Sequence, residues 1–431
     1  MTTEPMDDLS WLTGEEVLTL IAAACRDSRP LHQRLQWLRT KLPPDQAALA
    51  SQQVELRQRA AAKFPAADRM LFTGKLLEQA TDTAIASYKA SCFPSDLPIF
   101  DLCCGLGGDS IAFSLRSLDA NCEREAASVV GVDCDPAAVA LATHNVTICG
   151  GGDRFSGRVG AVEEQAWPVS PFAAHIDPDR RAEGRRTSAW ELLQPGPETL
   201  EKLRSAVAMM AVKLAPATEV PANWLSNSVH REWIGSRGEC RQQLVWVERP
   251  QPDSARRSAT VVGDRGQTEC LREVPAAEAD YSASLADQLG DWLIEPHAAV
   301  LAADLAASLA APWGLRAAAA HGGYLTGAKP PLPPSSELGA QFEVLEVLRF
   351  DRRSLKQRVR ELNIRRLEVK RRGIRETPDE ILKPLERVLQ ENRRRDAASP
   401  LFAPDEVATL VVTRLSAGVV AALCRRLRAA N

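Results

Sequence analysis

A chain of 431 residues, 45% hydrophobic and 25% charged with a net charge of −3, has the composition of a globular protein and the length for about two to four domains, so a fibre or a disordered tail is excluded. No stretch approaches the roughly 20 apolar residues of a membrane helix, and the acidic N-terminus lacks the basic start and apolar run of a secretory signal, so a cytoplasmic protein without a membrane partner is expected. Ten cysteines without framework spacing or a Cys-x-x-Cys pair, and six scattered histidines, point to reduced thiols and no metal. In chain order, the first segment places Trp11, Val17, Leu18, Ile21, Leu35 and Leu38 at three- and four-residue spacing, which predicts a helical region over 1–92.

The pattern then changes to short apolar runs separated by helical stretches. Strands are expected at 97–102, 128–132, 158–162, 172–176 and 209–214, helices at 110–118, 136–143 and 198–208, and a closing hairpin from 230–234 and 244–247. Strands alternating with helices mean an α/β domain with a parallel sheet, here over 93–249. Residues 250–275 read as a linker and 276–328 as a small α+β segment; the stretch 329–340 contains four prolines and reads as a second linker. Beyond it, strands at 342–348, 364–370, 408–413 and 419–424 alternate with two helical stretches, predicting a separate α+β module over 341–431. That module carries 21 Lys/Arg against 13 Asp/Glu, so it is basic on an otherwise acidic chain.

The most informative stretch is Asp101-Leu102-Cys103-Cys104-Gly105-Leu106-Gly107-Gly108-Asp109, between the first strand and its helix. A glycine-rich turn there lets a ligand approach the backbone closely, and the helix N-terminus beyond it offers free N–H groups. A dinucleotide turn would require a further glycine at position 110, where Ser110 stands. Asp101, four residues ahead of Gly105, suits a ligand carrying an ammonium group rather than a pyrophosphate. Asp133 ends the next strand, where a carboxylate can accept two ribose hydroxyls.

These residues, with Val129–Asn145, resemble the first two motifs of class I S-adenosylmethionine-dependent methyltransferases, particularly those acting on RNA. Lys63-Phe64-Pro65-Ala66, Leu77-Glu78-Gln79-Ala80-Thr81, Glu295-Pro296-His297 and Tyr324-Leu325-Thr326-Gly327 are similar to bacterial methyltransferases with a C-terminal THUMP-like domain. The resemblance implies a Rossmann-like methyltransferase sheet with an N-terminal helical cap and a C-terminal α+β module, and S-adenosylmethionine as cofactor. It places Asp101 and Gly105 along the methionine end of that cofactor and Asp133 at its ribose, with Cys103, Gly107 and Asp109 as further cofactor-binding candidates. Cys134 would flank the adenine, and Glu163 stands in, displaced, for the acid that usually meets the adenine amine.

In such folds the fourth strand ends beside the transferred methyl group, and here that end reads His175-Ile176-Asp177-Pro178-Asp179-Arg180-Arg181. Methyl transfer needs a lone pair held in line and a proton removed later, work suited to Asp177 and Asp179. No aromatic follows to stack on a base, so Arg180 or Arg181 is the candidate for stacking or for neutralising a phosphate. No thiol nucleophile with a neighbouring base is evident, and covalent catalysis is not expected. In the basic module Arg352, Arg353, Arg365, Arg366, Lys370, Arg371 and Arg372 are candidates for RNA phosphate contacts, without interleaved aromatics for base stacking. The expected function is methyl transfer to a base nitrogen of structured RNA, a tRNA or rRNA. The alternatives are a protein or small-molecule acceptor, or a silent cofactor-binding protein.

Overall fold

Helix formers without strand-like alternation fold the N-terminal region into α1 (Glu15–Arg26), α2 (Leu31–Arg39), α3 (Pro44–Ala60), α4 (Gly74–Gln79) and α5 (Thr83–Ser91). Thr73 and Asp82 cap the last two, accepting from the N–H groups of Leu76 and Ile85. Their apolar stripes bury Leu12, Ile21, Leu38, Val54 and Leu71 against Leu141 of the domain that follows. The structure is a computed structural model that describes residues 9–116, 127–179, 181–182, 185–186, 188–249, 255–274, 285–330, 332–333, 335–395, 398–403 and 405–427. It divides into two compact units, the first within Met1–Arg231, Gln242–Pro252 and Asp264–Gly266, the second within Glu232–Arg241, Asp253–Gly263 and Gln267–Asn431.

The α/β alternation runs β1 (Ile99–Leu102), α6 (Gly108–Leu115), β2 (Val129–Asp133), α7 (Pro136–Ile148), β3 (Phe155–Val159) and β4 (Ala173–Ile176). A two-strand ribbon, β5 (Arg181–Ala182) with β6 (Arg185–Arg186), precedes α8 (Pro197–Ala206), β7 (Met209–Leu214) and the hairpin strands β8 (Val229–Ser236) and β9 (Glu239–Val247). In the first unit β3, β2, β1, β4 and β7 pair in parallel in that order, with β9 antiparallel beside β7. Every residue of β1, β4 and β7 is buried, as parallel strands covered on both faces must be. The chain leaves β1 toward β3 on one side and returns to β4 on the other. That reversal opens a crevice at the C-terminal ends of β1 and β4, where ligands bind in open α/β sheets.

In the second unit β10 (Arg257–Val262) and β11 (Thr268–Arg272) form an antiparallel pair. They are followed by β12 (Trp292–Pro296), α9 (Ala298–Ala302), α10 (Ala306–Ala310), β13 (Arg316–Ala317), β14 (Leu325–Gly327), β15 (Gly339–Arg349), α11 (Arg352–Glu361), β16 (Leu367–Arg371), α12 (Pro378–Leu382), α13 (Glu386–Arg393), β17 (Ala408–Leu415) and β18 (Gly418–Arg426). One sheet takes the order β13-β14-β12-β15-β18-β17-β16, and Leu355, Val359 and Val388 of the helices pack on its Leu410, Val412 and Leu423.

Two expected boundaries are corrected here. Residues 250–275, expected as a linker, contain β10 and β11; buried Ser258 and Thr260 interrupt the apolar pattern, and Thr260 is satisfied by donating to Glu232 at 2.5 Å, a partner 28 residues away. The segments 276–328 and 341–431, expected to be separate, share one sheet, because β12 pairs with β15 from Trp292↔Glu343 to Pro296↔Gly339. Among the described residues no helix is long and apolar enough to cross a membrane.

Candidate active site

Between β1 and α6 the chain turns through Cys103, Gly105 and Gly107, with φ of 59°, 55° and 86°. A side chain at Gly107 is disfavoured twice, since a Cβ would lie a tight 3.1 Å from the Ala142 Cα of α7 and would sit in a backbone region that L residues avoid. A Cβ on Gly108 would stand 3.0 Å from the Thr81 carbonyl oxygen, so the turn is pinned between α7 and the segment ahead of α5. Gly105 differs. A Cβ there would meet only a methyl of Leu76 at 3.7 Å, which leaves its face open to a closely approaching ligand.

Asp133 ties the end of β2 to this turn. Its Oδ2 accepts from the Gly105 N–H at 2.9 Å and its Oδ1 from the Asp135 N–H at 3.0 Å. Burial pushes its carboxyl above the ordinary value, against the pull of those two N–H groups. Cys134 beside it is exposed, and Glu163 is exposed in the turn Val162–Glu164 after β3. Burial, and then the carboxylates of Asp133 and Asp177, push the Cys103 thiol well up, so it stays protonated near both acids and is unsuited to nucleophilic attack.

Asp101 and Asp109 face inward. Asp101 is 1% exposed, the Ser110 hydroxyl donates to its Oδ2, and His175 Nδ1 of β4 lies 2.8 Å from its Oδ1. To meet a ligand's ammonium directly, as the sequence suggested, it would need an opening that its burial does not give it. Asp109 pairs with the fully buried Lys89 of α5 at 2.6 Å and accepts from the Thr81 hydroxyl at 2.9 Å. Lys89 Nζ also reaches His175 Nε2 at 3.2 Å, and one tautomer, protonated at Nδ1, satisfies both contacts of the ring. Burial disfavours the Asp109 charge, but the ammonium groups of Lys89 and Lys213 outweigh it and hold the carboxyl well below the usual range. Burial likewise lowers Lys89, in spite of Asp109.

At the expected reaction end stands Asp177, whose N–H donates to the Leu102 carbonyl at 3.1 Å and so carries the β1–β4 pairing one residue past the strand. Its Oδ2 pairs with Lys213 Nζ of β7 at 2.6 Å, while its Oδ1 has no partner among the described residues. Asp179 is placed two residues further on, where it exchanges backbone hydrogen bonds with Gln194 at 2.8 and 3.0 Å. Arg180 lies outside the described residues, and Arg181 is described only as backbone in β5. Sequence reading missed Thr81, Lys89, His175 and Lys213. Their signal was available for the last two, a charged or polar residue alone in the apolar runs Ala-Ala-His-Ile and Met-Met-Ala-Val-Lys-Leu.

In the basic module Arg352 and Arg353 are exposed in the first turn of α11 and make no ion pair among the described residues. The other expected phosphate contacts are partly engaged at home. Lys370 pairs with Glu295 at 2.7 Å, Arg372 stands 3.8 Å from the same carboxylate, and Arg371 donates to the Ile374 carbonyl at 2.8 Å. Arg365 and Arg366 donate to the carbonyls of Arg395 and Asp405 at 2.9 and 3.5 Å.

Known proteins resemble this chain over most of its length. Over 384 residues it is 30% identical to an S-adenosylmethionine-dependent methyltransferase, described as uncharacterized, of Mycobacterium tuberculosis H37Rv, covering 86% of this chain and 94% of the relative. The counterpart from strain CDC 1551 matches equally. Residues 339–426 match the family described as THUMP domain-like. A solved structure of a proposed methyltransferase from Porphyromonas gingivalis W83 shares the fold at a TM-score of 0.71 and 18% identity, covering 96% of this chain and 98% of that one.

Proposed function

We propose, because this chain belongs to the S-adenosylmethionine-dependent methyltransferases, that its acceptor is a base nitrogen of structured RNA, a tRNA or an rRNA. The bound cofactor supplies a methyl group on a sulfonium centre. The site's chemistry fits it: Gly105 offers an open backbone face, and the half-buried Asp133 has lone pairs to spare for ribose hydroxyls beyond its two backbone bonds. Cys103 and Gly107 would shape the turn around its methionine end, Cys134 and Glu163 would border the adenine, and Asp101 and Asp109 would brace the turn from inside.

The observation that carries the acceptor assignment is Asp177 Oδ1, which has no partner among the described residues and stands at the mouth of the β1–β4 crevice. A carboxylate oxygen can only accept, so it suits an acceptor that donates an N–H, which it would orient together with the nitrogen lone pair, and it would take up or pass on the proton released after transfer. Asp179 is the second candidate for that proton. Exposed Arg352 and Arg353 would hold RNA phosphates, and the cytoplasm is the compartment where such a substrate and reduced thiols coexist.

The test is methyl incorporation from labelled S-adenosylmethionine into total RNA of cells lacking the gene, with protein and metabolite fractions run alongside. Label in RNA supports the reading; label confined to another fraction overturns the RNA acceptor. A protein or small-molecule acceptor is the second reading, favoured by the internal pairing of Lys370 and Arg372 with Glu295, which gives those cations a structural use.

A further inference from the structure

We infer that Lys213 is a positioning residue that fixes the Asp177 carboxylate, with the loop at Gln79–Thr81 as its clamp. The inference rests on the reading that Asp177 addresses the methyl acceptor. Lys213 is the one charged residue of β7, and its side chain is 9% exposed. Its ammonium lies 2.6 Å from Asp177 Oδ2, 3.1 Å from Thr81 Oγ1 and 3.5 Å from the Gln79 carbonyl oxygen, so three acceptors meet its three N–H directions. Thr81 in turn donates to Asp109, which is paired with Lys89. The polar chain therefore runs from the crevice through Lys213 and Thr81 to a buried ion pair, and holds the ammonium against reorientation.

With one oxygen committed to a fixed ammonium, Asp177 keeps a single open oxygen and a set direction for it. A lysine kept only for packing would be replaceable, because an apolar side chain of similar length fills the same space and is spared desolvation. Lys213→Met separates the two roles. For a packing role the variant turns over like the wild type. For a positioning role it stays folded, with a melting temperature lowered by the loss of the Asp177 counter-charge, and keeps its calorimetric affinity for S-adenosylmethionine, while kcat falls by about a hundredfold, the scale of a misplaced reacting group.

The experiment measures kcat and KM on whichever cellular fraction the wild type labels, for Lys213→Met, Lys213→Arg, Asp177→Asn and the Lys213→Met/Asp177→Asn pair. Expected are a large kcat loss in Lys213→Met with KM little changed, partial recovery in Lys213→Arg, and no further loss in the double variant over Asp177→Asn. Full activity in Asp177→Asn overturns the acceptor-site reading. A loss in Asp177→Asn with wild-type kcat in Lys213→Met overturns this inference alone. Should the wild type label no fraction, a crystal structure of Lys213→Met decides it: a displaced Asp177 carboxylate supports positioning, and an unmoved one overturns it.

Discussion

Asp109 and Asp133 show how differently two carboxylates of one turn are used. Asp109 neutralises Lys89 in the interior, so Asp109→Asn leaves a buried ammonium without its counter-charge. It is expected to lose about 3–5 kcal/mol in urea unfolding, with no direct loss of a cofactor contact. Because the folded-state carboxyl lies below its unfolded value, Asp109 adds stability that is fully present above about pH 4 and is lost as the pH falls through that value toward the folded one. Acid unfolding of Asp109→Asn should accordingly be less steep than that of the wild type. Asp133 has the opposite sign. Burial raises its carboxyl, so stability falls as the pH rises from the unfolded value to the folded one, and at neutral pH the charge is kept at a cost. Asp133→Asn turns an amide NH2 toward one of the two backbone N–H donors, so it is expected to melt lower than the wild type despite losing a buried charge, and to bind S-adenosylmethionine about tenfold more weakly by calorimetry, for want of a charged acceptor.

At the level of elements, the glycine turn is the piece whose geometry tolerates least change. Gly107→Ala must accept a left-handed backbone at about 1–2 kcal/mol and push its Cβ against the Ala142 backbone, so both the melting temperature and cofactor affinity should fall. Gly105→Ala carries the same left-handed backbone strain at φ 55° but meets only a leucine methyl, so it should destabilise less than Gly107→Ala while still costing cofactor affinity. The strand–turn–helix run from Ile99 to Asp133 was legible because strand, turn and terminal acid follow one another within a short stretch, and local pattern suffices to order them. The strands β10 and β11 were not legible. Their pattern is broken by Ser258 and Thr260, which become core residues once pairing and Glu232 satisfy them.

On the scale of the whole molecule, the shared sheet of the second unit has a consequence for fragments. A piece spanning 341–431 would leave β15 without β12 and expose a row of unpaired backbone groups, whereas 285–431 keeps that pairing. The shorter piece should aggregate or unfold with poor cooperativity in calorimetry, and the longer one should melt more sharply. On the proposed RNA acceptor, replacing Arg352 and Arg353 by Ala in the full chain should lower the slope of log RNA affinity against log salt by about 0.7–0.9 per lost phosphate contact; an unchanged slope would count against phosphate contacts there.

The amino-acid sequence by itself determined the α/β class, the glycine turn with Gly105 and Gly107, and the strand-end acids Asp133 and Asp177, since each rests on spacing along a short stretch of chain. Tertiary structure alone decided which acids are buried among partners and which keep an open side. Asp101 and Asp109 turn inward because their partners arrive from afar, His175 from 74 residues along the chain and Lys89 from α5. Asp177 is fixed because Lys213 reaches it from another strand, 36 residues on. Charge pairing of that range leaves no periodicity to read, only a lone polar residue in an apolar run.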